Sequence, residues 1–334
     1  MLIRIICFGM ILTGLWLVHG CSPNVENSSP PVSSIPTTVA GNIIEFEKIL
    51  DDIRRVRNIP GLSAAIQMGG RVAWAKGFGM ADRERGIAAS TDTSFHLASL
   101  TKPIAAVMLL QLFESGILDL DAPITQFGIS VENGDNIRVR HLLTHTSEGD
   151  PGEFFQYNGD RYSWLGQVIQ FASGRPFCDL LEERLINKFG LIDTAPNPEL
   201  PTGQNCVLDD SNLRELFISN MAQGYHPDGE TALNEMLHFS PAAGLLSSAL
   251  DMTQFLIRLD RDQLLRPETR QLMFTQVRTR SGQPLPYGLG WFIDTGFEFK
   301  VQWHYGLWNA HSSLILRIPD RQLAFVVLAN TNRL

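Results

Sequence analysis

Ser99 and Lys102 stand three residues apart at the start of an apolar stretch, 102–114, whose spacing predicts a helix. On one face of that helix the Lys102 amine reaches the Ser99 hydroxyl. A serine becomes a useful nucleophile only beside a base, and a lysine stripped of water is one such base. The helix N-terminus adds unpaired backbone N–H groups and a positive dipole end, which favour an oxyanion near Ser99. Pro103 falls in the first turn, where its missing donor costs little. Alone, this spacing is weak, because serine is a common N-cap and lysine a common first-turn residue.

Elements that must position the pair can be read on both sides. Residues 43–56 repeat apolar positions at helical spacing until Pro60 stops the run. Strands are expected at 62–68 and 71–77, joined by Gly69-Gly70, a two-residue hairpin signal. A mostly helical middle extends to about residue 275, with 164–172 strongly apolar and 196–210 and 223–230 reading as loops. Strands return at 287–294, 299–306, 310–318 and 323–329, the last two joined by the turn Pro319-Asp320-Arg321-Gln322. No internal repeat is visible. The order predicts an α/β chain, more closely an α+β composite: one antiparallel sheet built from both termini, with a helical insert packed beside it.

Further motifs surround the pair in a fixed order. Gly77-Phe78-Gly79 precedes Ser94-Phe95-His96-Leu97-Ala98-Ser99-Leu100-Thr101-Lys102-Pro103, and His141-Leu142-Leu143-Thr144-His145-Thr146-Ser147 follows. Then come Tyr157-Asn158-Gly159, Pro241-Ala242-Ala243-Gly244-Leu245, Tyr287-Gly288-Leu289-Gly290-Trp291 and His304-Tyr305-Gly306. In order and spacing the chain resembles the serine β-lactamase-related family, the branch with class C β-lactamases, D-alanyl-D-alanine peptidases and related esterases. The resemblance runs from about residue 43 to 334. It implies a β-lactamase/transpeptidase-like fold and a serine hydrolase whose acyl-enzyme forms on Ser99, with Lys102 as proton partner. Tyr157 matches the tyrosine of the family's Y-x-N element; a phenol acts as a base only if its anion is stabilised, here by Lys102. His304-Tyr305-Gly306 matches the K-T-G strand element in an H-x-G form. The oxyanion hole is then the backbone N–H of Ser99 and of Leu307, the residue after Gly306. The implied substrate is an ester, a small peptide or a β-lactam-like amide.

The chain also departs from that pattern. Gly159 stands where the family carries a substrate-binding asparagine, and the adjacent Asn158 would project differently; by the resemblance Asn158, Gly159 and Gly306 are nonetheless expected to line the substrate site. Nine residues separate Ser147 from Tyr157, where relatives carry a longer wall segment, and Glu148 interrupts an expected Ser-Gly. His304 replaces a lysine that holds a substrate carboxylate. A histidine is only partly charged at neutral pH, so it is expected to be a weaker and pH-dependent anion partner. These changes favour an ester or small peptide over a β-lactam. They also keep a second class in view, a penicillin-binding or cell-wall-sensing protein acylated without turnover.

Rival chemistries find less support. His141 and His145 are four apart, but the glutamate of H-E-x-x-H and a third ligand are missing, so no metal is expected. The G-x-S-x-G elbow is absent, since His145 precedes Ser147. Asp119 and Asp121 read as a solvated turn. The implied chemistry needs no cofactor.

Composition sets the outer bounds. The chain has 334 residues, 44% hydrophobic and 19% charged, with a formal charge of −8. That apolar fraction excludes a disordered chain, and the acidic balance argues against nucleic acid as a partner. Residues 5–18 form an apolar run behind Arg4. At about 1.5 Å per residue it falls short of a bilayer core of about 30 Å, which is the pattern of a secretory signal. Val18-His19-Gly20-Cys21 resembles a lipobox, and implies removal of residues 1–20, lipidation of Cys21 and a membrane anchor facing the periplasm, sorted by Ser22 to an outer membrane. Residues 22–41 read as a tether after that cysteine, leaving 42–334 as one hydrolase domain. Cys178 and Cys206 can pair in an oxidising compartment or remain two buried thiols. The last strand is followed only by 330–334, where the family closes its sheet with another helix; the chain is either truncated or covers that face differently.

Overall fold

The computed structural model describes residues 37–198, 208, 211–232 and 239–334. The expected signal, Cys21, most of the tether and Cys206 lie outside the described residues. The chain divides into two compact units, Met1–Arg57 and Asn58–Leu334. In the first, helix α1 runs Thr37–Val56, starting earlier than the apolar period suggested, with the Arg54 guanidinium donating to Asp51 at 2.7 Å.

The second unit is built on a seven-stranded antiparallel sheet in the order β3-β2-β1-β10-β9-β8-β7. Its strands are β1 (Gly61–Met68), β2 (Arg71–Asp82), β3 (Ile87–Ala88), β7 (Phe292–Asp294), β8 (Val301–Trp308), β9 (His311–Ile318) and β10 (Leu323–Ala329). β1 pairs with β10 from Leu62↔Ala329 to Met68↔Leu323, so segments far apart in sequence share the sheet centre. All seven residues of β10 are buried, which is why its sequence is continuously apolar rather than alternating. A second sheet orders β4 (Phe95–His96), β6 (Leu245–Ser247) and β5 (Ala195–Pro196). Strands of two or three residues are too short to show a period, so the sequence did not reveal this sheet.

The helical insert contains α2 (Thr101–Glu114), α3 (Val139–Leu143), α4 (Gly159–Ser163), α5 (Leu165–Ser173), α6 (Phe177–Leu181), α7 (Asn187–Phe189), α8 (Ser211–Ser219), α9 (Ala249–Asp260) and α10 (Pro267–Met273). α2 is buried nearly all round, and its Ile104, Val107, Leu109 and Leu110 lie in the main core. Each such side chain contributes about 1.5–3 kcal/mol by leaving water. Cys178, in α6, is disulfide-bonded.

One expected strand is mostly absent. Of 287–294 only Phe292–Asp294 pairs as a strand, while 287–291 folds back over α2. Gly290 has φ +82, and a Cβ there would stand 2.6 Å from Ala106 Cβ. Only glycine lets the segment pass that close.

Candidate active site

The segment Leu97–Ser99 is fastened before any chemistry is considered. Leu97 N–H donates to Leu245 O at 2.9 Å, and Leu97 O accepts from the Ser313 hydroxyl at 2.7 Å. Ala98 is held at φ +47, an uncommon conformation for a residue with a Cβ. Ser99 therefore lies in a tight 3₁₀ turn, Ala98–Leu100, and not in the helix itself. The Thr101 hydroxyl donates to Ala98 O at 2.8 Å and ties the turn to the first residue of α2.

Lys102, in the first turn of α2, is 1% exposed. Its Nζ donates to Ser99 Oγ at 3.0 Å and to Ala242 O at 3.0 Å. It also lies over the rings of Tyr157 and Tyr162, 4.8 and 5.4 Å from their centroids. Among the described residues no ion pair joins Lys102 to a carboxylate. Burial without an opposite charge brings its pKa down to about 7. An amine that is half neutral near pH 7, against a hydroxyl, can take the hydroxyl proton.

Tyr157 packs its ring on His145, with centroids 4.2 Å apart and planes 29° apart. Burial pushes its phenol well above the ordinary value; the nearby Ser99 hydroxyl offsets part of that rise. Among the described residues no hydrogen-bond partner meets the Tyr157 Oη. Lys102 lies over the ring of Tyr157 and not at its hydroxyl, so burial prevails and favours a neutral phenol here over the phenolate base expected from the sequence.

His304 differs more sharply from expectation. It is fully buried, with Nδ1 bonded to Tyr305 O at 2.7 Å and Nε2 to the Tyr287 hydroxyl at 2.8 Å. A carbonyl can only accept, so Nδ1 carries the proton and Nε2 accepts from Tyr287. Burial, then the Lys102 charge, hold its pKa well below the usual value. The ring is a neutral, fixed part of β8, and the expected pH-dependent anion partner is corrected on that ground.

Gly306, two residues along β8, meets the nucleophile turn directly. A Cβ there would lie 2.0 Å from Leu97 O and 2.4 Å from Ser313 Oγ. The two-residue turn Asn309-Ala310 sets Trp308 opposite His311. Antiparallel alternation then directs the Gly306 and Trp308 N–H groups toward β9, and those of Tyr305 and Leu307 toward the other edge. β7 covers that edge only along 301–303.

Asn158 and Gly159 do not join the cluster as expected. The Asn158 Oδ1 accepts from Arg161 N–H at 2.9 Å and caps α4, while its Nδ2 donates to Glu148 at 2.6 Å. Arg161 in turn pairs with Glu148 at 3.1 Å. This corrects Asn158 as a substrate contact: both ends of its amide are engaged. A Cβ at Gly159 would meet nothing within 4 Å, so the missing asparagine leaves open space.

Several residues of the cluster had no role in the site assigned from the sequence. His145 lies past the end of α3 at φ +54, so the helical spacing with His141 does not hold. Its Nδ1 accepts from Asn158 N–H at 3.1 Å, and burial lowers its pKa to about 3. Tyr162 donates from Oη to Lys102 O at 3.1 Å, and Tyr287 fixes His304. The motifs around Ala242, His145 and Tyr287 were the available signals, without a role attached.

Buried neutral imidazoles carry a stability consequence. His145, His304 and His311 have folded pKa values below 6.5, as does His141 at about 4. Their stability is present above pH 6.5 and lost as pH falls, because only the unfolded chain takes up the protons. Asp251, raised to about 7 by burial, and Asp193, also raised by burial, work the other way, but as two groups against four. Thermal melts are expected to fall by about 5 °C or more between pH 6.5 and pH 5.0. A flat Tm over that interval would contradict the neutral assignment.

Residues 46–334 match the family model described as Beta-lactamase. Penicillin-binding protein 4* of Bacillus subtilis (strain 168) is 24% identical over 314 residues, 78% of this chain and 66% of that protein. The chain thus spans just under two thirds of that relative's length. The octameric penicillin-binding protein homologue from Pyrococcus abyssi aligns with a TM-score of 0.75 at 23% identity, covering 87% of this chain and 74% of that one. The D-alanine carboxypeptidase AmpC from Burkholderia cenocepacia aligns with a TM-score of 0.72 at 18% identity, covering 88% and 95%. These are likenesses of fold. The family match extends over most of the chain, which belongs to the beta-lactamase family.

Proposed function

We propose that this chain hydrolyses an ester or small peptide through an acyl-enzyme on Ser99, tethered to a membrane by lipidated Cys21. The observation that carries the reading is the 3.0 Å bond between Ser99 Oγ and a Lys102 amine brought to a pKa of about 7. Neutral Lys102 takes the Ser99 proton as Oγ bonds to the substrate carbonyl carbon. The N–H groups of Ser99 and Leu307 hold the resulting oxyanion. As the carbonyl re-forms, the bond to the leaving group breaks and that group takes a proton. The unbonded Tyr157 hydroxyl is suited to deliver this proton and recover one from Lys102. Water then attacks the acyl-Ser99 ester, losing a proton to Lys102; the bond between the carbonyl carbon and Ser99 Oγ breaks, Oγ takes that proton back from Lys102, and the acid leaves. His304 and Gly306 act by holding β8 against the turn.

The test is covalent. A fluorophosphonate probe is expected to add one phosphonyl group to Ser99 in the full chain, seen by intact and peptide mass spectrometry, and to add none to S99A. Wild-type turnover of p-nitrophenyl acetate should accompany it. Labelling elsewhere than Ser99 would overturn the reading. Acylation by the ester without release would instead identify the non-turnover relative, for which the open space at Gly159 speaks.

A further inference from the structure

Beside the Ser99–Lys102 pair rises a wall of near-parallel rings. Phe292 stacks on Trp303 with centroids 4.4 Å apart and planes at 14°, and Tyr157 lies 9° from the Phe292 plane at 6.1 Å. Tyr305 continues the set, 22° from Tyr157 at 6.4 Å and 26° from Trp303 at 5.9 Å. Tyr287 meets Phe292 edge-on at 4.7 Å and supports the wall from the buried side. The wall ends in solvent: Tyr305 is 40% and Leu307 54% exposed. It begins at the reacting atoms, since the Tyr157 ring is 4.8 Å from the amine that bonds Ser99. Among the described residues, Lys102 is the only Lys or Arg placed over any of these four rings, and its Nζ is committed to Ser99 and Ala242. Both His304 nitrogens are engaged, by Tyr305 and Tyr287. Arg161, behind Tyr157 in sequence, is held by Glu148.

A flat apolar wall is the surface that another flat or apolar group covers with least loss, because stacked rings gain contact without desolvating charge. A carboxylate brought to the same wall would lose water, and among the described residues no Lys or Arg beyond the committed Lys102 lies over its rings to replace it. We propose that this wall takes an uncharged aromatic or other flat apolar group of the substrate, next to the carbonyl that Ser99 attacks, and disfavours substrates with a carboxylate there. The proposal rests on the hydrolase reading above and adds the class of substrate.

The test compares three p-nitrophenyl esters on the full chain: acetate, phenylacetate, and phenylacetate carrying a carboxylate on the ring. The expected order of kcat/KM is phenylacetate above acetate, with the carboxylated ester about tenfold or more below phenylacetate. In Y305A the ratio of phenylacetate to its carboxylated counterpart should fall about tenfold, and in Y305F it should be retained, because the ring plane persists. Tyr305 is half out in solvent, so neither change challenges folding. Turnover of acetate with no preference for the uncharged aromatic ester overturns the subsite while leaving the hydrolase reading intact. No turnover of any of the three, with no labelling at Ser99, overturns the hydrolase reading itself.

Discussion

Replacing Lys102 by methionine is expected to lower kcat/KM for p-nitrophenyl acetate by about 10³-fold or more, with the fold retained. Methionine keeps an unbranched apolar side chain in a site that is already dry, so packing is nearly conserved. What is lost is the amine that bonds Ser99 Oγ and donates to Ala242 O. The wild-type pH profile carries the same argument. A base must be neutral to act, and burial sets the Lys102 pKa near 7, so kcat/KM should rise with pH through about 7 and then level off. No falling limb is expected between pH 6 and 7, because His304 is already neutral there. Stopped-flow or steady-state assays over that range check both statements. A profile that falls through pH 6–7, or a K102M variant within tenfold of wild type, would remove Lys102 from the base role.

Placing a side chain at Gly306 is expected to be nearly as damaging by a different route. In G306A the new Cβ would stand 2.0 Å from Leu97 O and 2.4 Å from Ser313 Oγ, far inside contact distance. Relief requires β8 to draw back from the Ala98–Leu100 turn by about 1 Å or more. That motion separates the Leu307 N–H from the Ser99 N–H, the two donors proposed to converge on one oxygen. A displacement of that size costs about 10²-fold in rate when it misaligns reacting groups. The accompanying loss of stability should be about 1–3 kcal/mol, as for other overpacked sites. Urea unfolding and ester turnover on the same preparation separate the two effects. Wild-type activity in G306A would mean that β8 does not form half of the oxyanion site.

Much of this arrangement was legible before the structure. The Ser99–Lys102 pair is local: three residues on a helical turn determine which side chains meet, whatever surrounds them. The pairing of the first hairpin with the last strand followed from apolar runs at the two ends of the domain. By contrast, the role of Asn158 depended on Glu148, ten residues earlier, and on Arg161, both close only after α4 folds back on its loop. The tautomer of His304 depended on Tyr287, seventeen residues away, and its charge on complete burial. Neither contact has a sequence period.

From the sequence alone came the meeting of Ser99 and Lys102, the composite fold and the order of the motifs, because spacing along a regular element survives without knowledge of the rest. Only the tertiary structure decided which polar groups are engaged, which imidazoles are neutral and where glycine is obligatory. Those properties are set by desolvation and by approach between distant segments, and water is excluded only once the segments have met.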